Sequence, residues 1–301
     1  MNILIKSAKV IQPGSIHHGK TVDVLIENGT IANIAATIRT EKNVKVIEQK
    51  NLHISSGWMD MQANFCDPGF EYKEDLNSGI RAAAAGGFTD VAVVPSTNPP
   101  VHSKSQVLYI KNNTLDAIVS VHPIGTVSHK QEGTDLSEMY DMKQAGAVAF
   151  SDDKKTITNA GLLTRALLYI QNFDGTIITH CNEKSIANGG KMNEGITSTR
   201  LGIEGIPSLA EELMVMRNIF IAEYTNAAIH IANVSTLKSV ELIRSAKSKG
   251  LKVTASVAAY NIALDDSVLE GFDSNYNLDP PLRTQADVHA LHQALAAGTI
   301  D

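Results

Sequence analysis

Two patterns of apolar and polar positions divide the chain. Residues 1–53 contain short runs of β-branched and aliphatic residues, separated by turns that contain glycine. The pair Asn28-Gly29 stands between two such runs, and Asn-Gly in that setting is typical of a hairpin turn. We therefore predict a small antiparallel β unit over residues 1–53, as the N-terminal part of a β-sandwich.

From residue 54 onward, strand-like runs alternate with helical periodicity. The strands are predicted at 54–61, 89–95, 117–123, 147–152, 176–180, 228–233 and 252–257. Helices are predicted at 76–85, 136–145, 162–172, 209–224 and 237–249, and Gly86-Gly87, Gly146 and Gly250 stand where helix C-caps belong. This alternation predicts a parallel sheet, and the α/β class with a TIM-type (β/α) barrel over residues 54–301.

Seven strands are one fewer than a closed barrel needs. The segment from Gly298 to Asp301 stands where an eighth strand should begin. An incomplete barrel would expose two sheet edges, which favours association or instability. We therefore expect that this chain is a truncated copy of a longer protein.

Composition narrows the possible functions. With 43% hydrophobic residues, 19% charged residues and a net charge of -6, the chain is typical of a globular protein without a nucleic-acid partner. Two cysteines, Cys66 and Cys181, do not form a disulfide framework. Neither a signal peptide nor an apolar run of roughly 18–20 residues is present, so we expect a soluble, cytoplasmic protein with no membrane partner.

Functional residues of a TIM barrel lie at the C-terminal ends of its strands. After the first strand the chain has Gly57, Asp60, Pro68 and Gly69 in a frame that resembles the dihydroorotase pattern Gly-x-x-Asp-x-His-x-His-x-Arg-x-Pro-Gly. Further segments of the same kind are AAAAGGFT (82–89), FSDD (150–153), MNEG (192–195), GIP (205–207), HIANVS (230–235) and DPPLR (279–283). The chain is thus similar to the dihydroorotases, of the cyclic amidohydrolase superfamily, over essentially its whole length.

The resemblance implies a zinc site at the mouth of the barrel. Asp153 and His180 stand at retained ligand positions, whereas Gln62, Asn64 and Asn233 stand where the family has histidines. Amide oxygens are weaker zinc ligands than imidazole, so we expect zinc binding to be weak or absent.

The substrate positions implied by the resemblance are also changed. Cys66 stands at the position of an arginine that clamps the substrate carboxylate. Ser96 and Asp279 each stand where the family has asparagine. The family's catalytic aspartate would lie beyond Asp301, so no catalytic residue is assigned within this chain.

The family reaction is the reversible ring closure of N-carbamoyl-L-aspartate to dihydroorotate with loss of water. In the reverse, ring-opening direction a zinc-bound hydroxide attacks the ring amide. One hypothesis is a catalytically silent subunit of de novo pyrimidine biosynthesis with a structural or regulatory role. The resemblance implies aspartate transcarbamoylase as a partner and a homodimer as the oligomeric state. The alternative is an active zinc-dependent dihydroorotase, or another cyclic amidohydrolase, with a rebuilt metal site.

Two further possibilities concern the mouth of the barrel. Asp153 and His180 could form a plain hydrogen-bonded pair without metal. Alternatively, Cys66, Cys181, His180 and Asp153 could make a new metal site.

Overall fold

The computed structural model describes residues 2–39 and 43–301. The chain divides into two compact units, Met1–Trp58 and Met59–Asp301.

The first unit has one sheet of five strands, in the order β3-β2-β1-β4 with β5 also on β1. Its strands are β1 (Ile3–Val10), β2 (Thr21–Glu27), β3 (Thr30–Ala35), β4 (Lys45–Glu48) and β5 (His53–Ile54). The predicted hairpin is confirmed, because Asn28-Gly29 is a two-residue turn with φ of 51° and 81° between the paired residues Glu27 and Thr30.

The prediction of an antiparallel unit holds for only three of these strands. β1 pairs antiparallel with β2, and β2 with β3, but β4 and β5 run parallel to β1. Because β2 already covers one edge of β1, the later strands pair with its other edge. The described residues of this unit thus form one layer of the predicted sandwich, with Val10, Val22 and Val24 as its buried apolar core.

The second unit has a parallel sheet of seven strands, in the order β14-β13-β10-β9-β8-β7-β6, which is the predicted barrel sheet without an eighth strand. Its strands are β6 (Trp58–Ala63), β7 (Phe88–Val93), β8 (Ser120–Gly125), β9 (Ala149–Ser151), β10 (Ile177–His180), β13 (Ile229–Ala232) and β14 (Val253–Ala255). Two short strands pair separately, β11 (Met192–Asn193) and β12 (Gly205–Ile206).

Helices connect the strands of the sheet. They are α1 (Leu76–Ala85), α2 (Lys104–Asn113), α3 (Met139–Gln144), α4 (Ala160–Ile170), α5 (Lys184–Ala187), α6 (Ile196–Leu201), α7 (Leu209–Thr225), α8 (Leu237–Ser248), α9 (Ala259–Ala263) and α10 (Gln285–Ala296). Gly87, Gly146 and Gly250 follow helix ends with φ of 85°, 107° and 77°, as the predicted C-caps require. Across residues 2–39 and 43–301, no helix is both long and apolar enough to cross a membrane.

The alternation of side chains along each strand separates two apolar cores. The larger core includes Val91 and Val93 of β7, together with buried residues of the helices. Ala92, between them in sequence, belongs instead to a small cluster on the inner side of the sheet, with Ile124, Ala149, Ile178 and Ala232. The carboxyl ends of these strands therefore point to one rim, where the predicted site residues lie.

Candidate functional site

The two retained ligand positions lie on neighbouring strands. Asp153 follows β9 and His180 ends β10, and these strands pair in parallel. Both residues line a narrow cavity of about 10 Å³ that Arg217 and Asn218 of α7 also line. A cavity of that size has room for about one water molecule. The structure thus brings together the predicted pair, Asp153 and His180.

His180 makes its closest charged contact with Asp279. Its Nε2 lies 3.3 Å from Oδ1 of Asp279, near enough for an ion pair but not aligned as a hydrogen bond. Both ring nitrogens are buried and lack a hydrogen-bond partner among the residues that the structure describes. Of the possibilities left open for this pair, a hydrogen bond between Asp153 and His180 is not formed, because the imidazole lies against a carboxylate from a different loop.

The electrostatics of Asp279 are consistent with this contact. Burial alone raises the pKa of Asp279, but the neighbouring His180 imidazole and the positive charges of Lys154 and Arg283 outweigh burial and lower it. Asp279 is therefore a carboxylate at neutral pH.

The three amide residues do not line the cavity of Asp153 and His180. The Oδ1 atom of Asn64 accepts a hydrogen bond from the backbone N–H of Cys66 at 3.0 Å. A carboxylate oxygen of Asp60 accepts one from the N–H of Gln62 at 2.9 Å, and the Ser256 hydroxyl accepts one from the N–H of Asn233 at 3.3 Å. Local hydrogen bonds thus surround these positions, and Asn64 uses its carbonyl oxygen in one of them.

Three site residues have left-handed backbone conformations. Cys66, Asp153 and Asn233 each come shortly after a barrel strand, with φ of 60°, 51° and 55°. Asparagine and aspartate tolerate this region better than most other residues that carry a Cβ atom. The turn at the end of each strand therefore sets the direction of the side chain.

The residues present do not fit a catalytic zinc. Within the described ranges, no three His, Cys, Asp or Glu side chains converge as a metal site requires. Catalytic zinc usually has three protein ligands, and the neutral amides are poor substitutes for imidazole.

The alternative metal site that includes Cys66 and Cys181 is also wrong. Cys181 directly follows His180, so its side chain points away from the mouth and into the larger core. Its Sγ accepts a hydrogen bond from Nδ2 of Asn218 at 3.4 Å. Burial raises the pKa of this thiol to about 12, so it is not a thiolate at neutral pH.

The remaining substrate positions have ordinary polar contacts. The Ser96 hydroxyl accepts a hydrogen bond from Nε2 of Gln131 at 3.2 Å, and the Cys66 thiol is partly exposed. Neither side chain supplies the positive charge that a substrate carboxylate would need.

Sequence reasoning did not find a buried polar network behind the mouth. Arg283 donates to the Ser235 hydroxyl at 3.0 Å, to Oδ1 of Asn193 at 3.1 Å and to the carbonyl of Ile206 at 2.9 Å. Glu211 accepts from the N–H of Ser235 at 2.9 Å. Four of the family-like segments therefore meet at Arg283. A single sequence contains these segments but not the contacts between them.

The two acids of the FSDD segment have different environments. Asp152 is buried and accepts hydrogen bonds from the backbone N–H groups of Val127 and Ser128, at 2.9 and 3.0 Å, and from the Ser128 hydroxyl. Burial raises its pKa, and these hydrogen bonds oppose that effect. Asp152 thus anchors the loop after β8, whereas Asp153 lies at the mouth.

Comparison with known proteins gives matches of two kinds. The family described as "Dihydro-orotase-like" matches residues 52–239. The chain is 44% identical over 303 residues to the dihydroorotase of Pelotomaculum thermopropionicum, covering 100% of this chain and 70% of that protein. The dihydroorotase of Acetivibrio thermocellus is also 44% identical, over 300 residues, covering 99% of this chain and 70% of that protein.

Solved structures of lower identity share the fold. The L-hydantoinase (dihydropyrimidinase) of Arthrobacter aurescens superposes with a TM-score of 0.80 at 20% identity, covering 99% of this chain and 67% of that one. The dihydropyrimidinase of Brevibacillus agri gives a TM-score of 0.77 at 19% identity, covering 100% and 67%. These structures show the shared fold. The family match over residues 52–239 and the 44% identity to dihydroorotases over the full chain show that the chain belongs to the dihydroorotase-like family.

Proposed function

We propose that this chain is a catalytically silent dihydroorotase-like subunit with a structural or regulatory role in pyrimidine biosynthesis. The relatives named dihydroorotase support the connection with that pathway. The silence is inferred from the residues at the mouth of the barrel.

One observation supports the proposed absence of catalytic activity most directly. His180, at the retained histidine position, lies against the carboxylate of Asp279, and in the part of the chain that the structure describes no third acidic, histidine or cysteine side chain completes a metal-binding group with them. A zinc ion would have to compete with this contact and would then find amides at three of its other expected positions. The residues at the mouth thus favour contacts between protein side chains over the binding of zinc.

The decisive experiment measures metal content and turnover on the same untagged preparation. We expect less than about 0.1 zinc per chain, because two ligands fall short of the three that a catalytic zinc needs. We also expect no hydrolysis of dihydroorotate with added zinc. The P. thermopropionicum relative, purified identically, is the positive control. Stoichiometric zinc, with turnover that a chelator abolishes, would establish the alternative of an active enzyme with a rebuilt site.

A matched set of variants separates lost ligands from a damaged fold. The triple variant Gln62→His/Asn64→His/Asn233→His restores imidazoles, and Gln62→Ala/Asn64→Ala/Asn233→Ala removes the amides without adding ligands. We expect only the histidine variant to bind more zinc than the wild type. Equal zinc in all three proteins would show that these positions do not control metal binding.

The partner proposed from the resemblance is aspartate transcarbamoylase. The test mixes this chain with the purified transcarbamoylase of the same organism and measures sedimentation of each protein alone and of the mixture. A new, faster-sedimenting species that contains both proteins would support the partnership. Independent sedimentation of the two proteins at micromolar concentrations would argue against it.

A further inference from the structure

A cleft of about 370 Å³ opens beside the mouth of the barrel. The residues that define it here are Asn182, Lys184, Lys191, Leu278 and Asp279. We call it the lysine cleft. It shares Asp279 with the substrate positions of the mouth, and its two lysines come from the chain that follows β10. Its volume is in the range of pockets that bind small molecules.

The two ammonium groups of the lysine cleft are free of ionic partners. Neither Lys184 nor Lys191 forms an ion pair with an acid of residues 2–39 or 43–301. The neighbouring acids have other contacts. The carboxylate of Glu183 caps α5, and that of Glu204 accepts a hydrogen bond from Nδ2 of Asn188 at 2.8 Å. Both positive charges are therefore available to a ligand.

Backbone contacts hold the two lysines in place. Lys184 is the first residue of α5. The N–H of Lys191 donates to the carbonyl of Glu204 at 2.9 Å. The adjacent Gly190 lies so close to Gly205 that a Cβ atom on Gly190 would come within 2.5 Å of the Gly205 carbonyl oxygen. From these fixed points, the flexible four-carbon stems of the lysines let both ammonium groups adjust to a ligand.

Asn182 adds a hydrogen-bond acceptor that has no donor. Its Oδ1 atom is buried and lacks a partner among the residues that the structure describes. A buried acceptor without a donor is energetically costly. The terminal torsion of an amide side chain is soft, so this oxygen can turn toward a hydroxyl group in the cleft. The lysine cleft thus combines cations with an acceptor for an uncharged donor.

We propose that the lysine cleft binds a small phosphate monoester, with the phosphate between Lys184 and Lys191 and a hydroxyl group of its uncharged body at Asn182. A phosphate monoester carries about two negative charges at neutral pH, which two ammonium groups match. Lysine is a common phosphate ligand, whereas a carboxylate is best matched by the planar fork of an arginine. None of the described residues that line the cleft is an arginine.

Asp279, the carboxylate in the lining, already faces positive charge and a histidine. Its Oδ1 atom lies 3.3 Å from Nε2 of His180, and the charges of Lys154 and Arg283 also act on it. The two cleft lysines are therefore left to a ligand. In the proposed regulatory role, such a ligand is the signal that the subunit detects. That consequence rests on the proposed function, whereas the binding itself does not.

The test is isothermal titration calorimetry of the full chain with ribose 5-phosphate at constant ionic strength. Ribose, which lacks the phosphate, and succinate, a dicarboxylate of similar charge, are titrated for comparison. We expect ribose 5-phosphate to bind, and the other two to bind at least about tenfold more weakly, because hydrogen bonds to a charged phosphate contribute most. Succinate that binds as tightly would overturn the assignment to phosphate. No binding of ribose 5-phosphate overturns the proposal.

Matched variants locate the site. Lys184→Gln/Lys191→Gln should weaken the binding of ribose 5-phosphate at least about tenfold. Lys104→Gln/Lys249→Gln removes the same charge from two exposed lysines outside the cleft, and should change the affinity less than about twofold because distant surface charges are screened. Asn182→Ala should weaken ribose 5-phosphate but not inorganic phosphate, which has no sugar hydroxyl. Equal affinities of the cleft variant and the wild type contradict the proposal.

Protection from acetylation tests the site in the wild type, and so does not depend on the folding of any variant. Ribose 5-phosphate should slow the acetylation of Lys184 and Lys191, measured by mass spectrometry, but not that of Lys104 and Lys249. Equal rates with and without the ligand at all four lysines overturn the proposal. Neither result bears on the proposed catalytic silence, because zinc content and turnover are measured separately.

Discussion

Nη2 of Arg283 lies 3.8 Å from Oε2 of Glu211, and both side chains are buried. Burial lowers the pKa of Arg283, and the carboxylate of Glu211 opposes that effect. The pair joins the loop that precedes α10 to the first turn of α7, just behind the mouth of the barrel. The pair thus joins these two segments through buried opposite charges.

Removing the cation should destabilise the protein strongly. Arg283→Met leaves the Glu211 carboxylate buried without its partner, which costs about 3–5 kcal/mol in comparable pairs. The free energy of unfolding from urea denaturation measures this loss.

A double variant and a surface control test the explanation. Arg283→Met/Glu211→Gln should lose less stability than the two single variants added together, because no unpaired charge remains. Arg200→Met breaks an exposed ion pair with Glu270 and should cost at most about 1 kcal/mol. Equal losses for Arg283→Met and Arg200→Met would contradict the assigned role.

The neighbouring acids Asp152 and Asp153 should respond differently to substitution. Asp152→Ala leaves the N–H groups of Val127 and Ser128 without their acceptor and should cost about 1–3 kcal/mol. Asp153→Asn keeps a side chain that tolerates a left-handed backbone and should leave stability nearly unchanged. Thermal denaturation of both variants measures the contrast, and a greater loss for Asp153→Asn would refute it.

Low pH should lower the free energy of unfolding because His230 is buried as a neutral imidazole. Its ring nitrogens contact the Thr254 and Ser256 hydroxyls at 2.9 Å each, and burial lowers its pKa from 6.5 to about 4. Below pH 6.5 the unfolded chain binds a proton that the folded chain excludes until about pH 4. Stability contributed by the neutral imidazole is therefore complete above pH 6.5, and about 3 kcal/mol is lost between pH 6.5 and 4.

The variant His230→Gln isolates this effect. It should be less stable at pH 7.5 but lose less stability than the wild type between pH 6.5 and 4. Urea denaturation at several pH values in this range gives the free energy of unfolding of the wild type and of the variant as a function of pH. An equal loss of unfolding free energy in the two proteins would show that another group causes the acid sensitivity.

The two cysteines should differ in reactivity. The thiolate is the reactive form, and burial raises the pKa of Cys181 to about 12, whereas Cys66 is partly exposed. A chromogenic disulfide reagent at pH 8 should therefore label one thiol per folded chain and both after denaturation. Folded Cys66→Ser should show no rapid labelling. Rapid labelling of that variant would mean that Cys181 is accessible.

The fold class could be predicted from periodicity, but the partner of each strand could not. The segment 76–85 is the helix α1 at its predicted bounds. The segment 54–61 was predicted as one strand, yet Ile54 ends β5 in the first unit's sheet and β6 begins at Trp58. An apolar run does not specify which sheet it joins. α2 was not singled out, because its polar residues make the helical period weak.

The site was predictable in its positions and not in its contacts. Asp153 follows β9 and His180 ends the neighbouring strand β10, and these places at the ends of strands predicted that both lie at one rim. The contact between His180 and Asp279 depends on the path of a long loop, which periodicity does not describe. The position of Cys181 in the core, by contrast, follows from the alternation of side chains along a strand and could have been predicted from the sequence.

The left-handed turns at Cys66, Asp153 and Asn233 have an evolutionary consequence. The backbone fixes the direction of the Cα–Cβ bond at these three positions, so a replacement side chain that tolerates a left-handed conformation starts in the same direction as the original. Point substitutions can thus replace the functional groups at these positions, while residues elsewhere, such as Arg283, stabilise the fold. A substitution of this kind changes the chemical group at the mouth of the barrel while the path of the backbone stays the same.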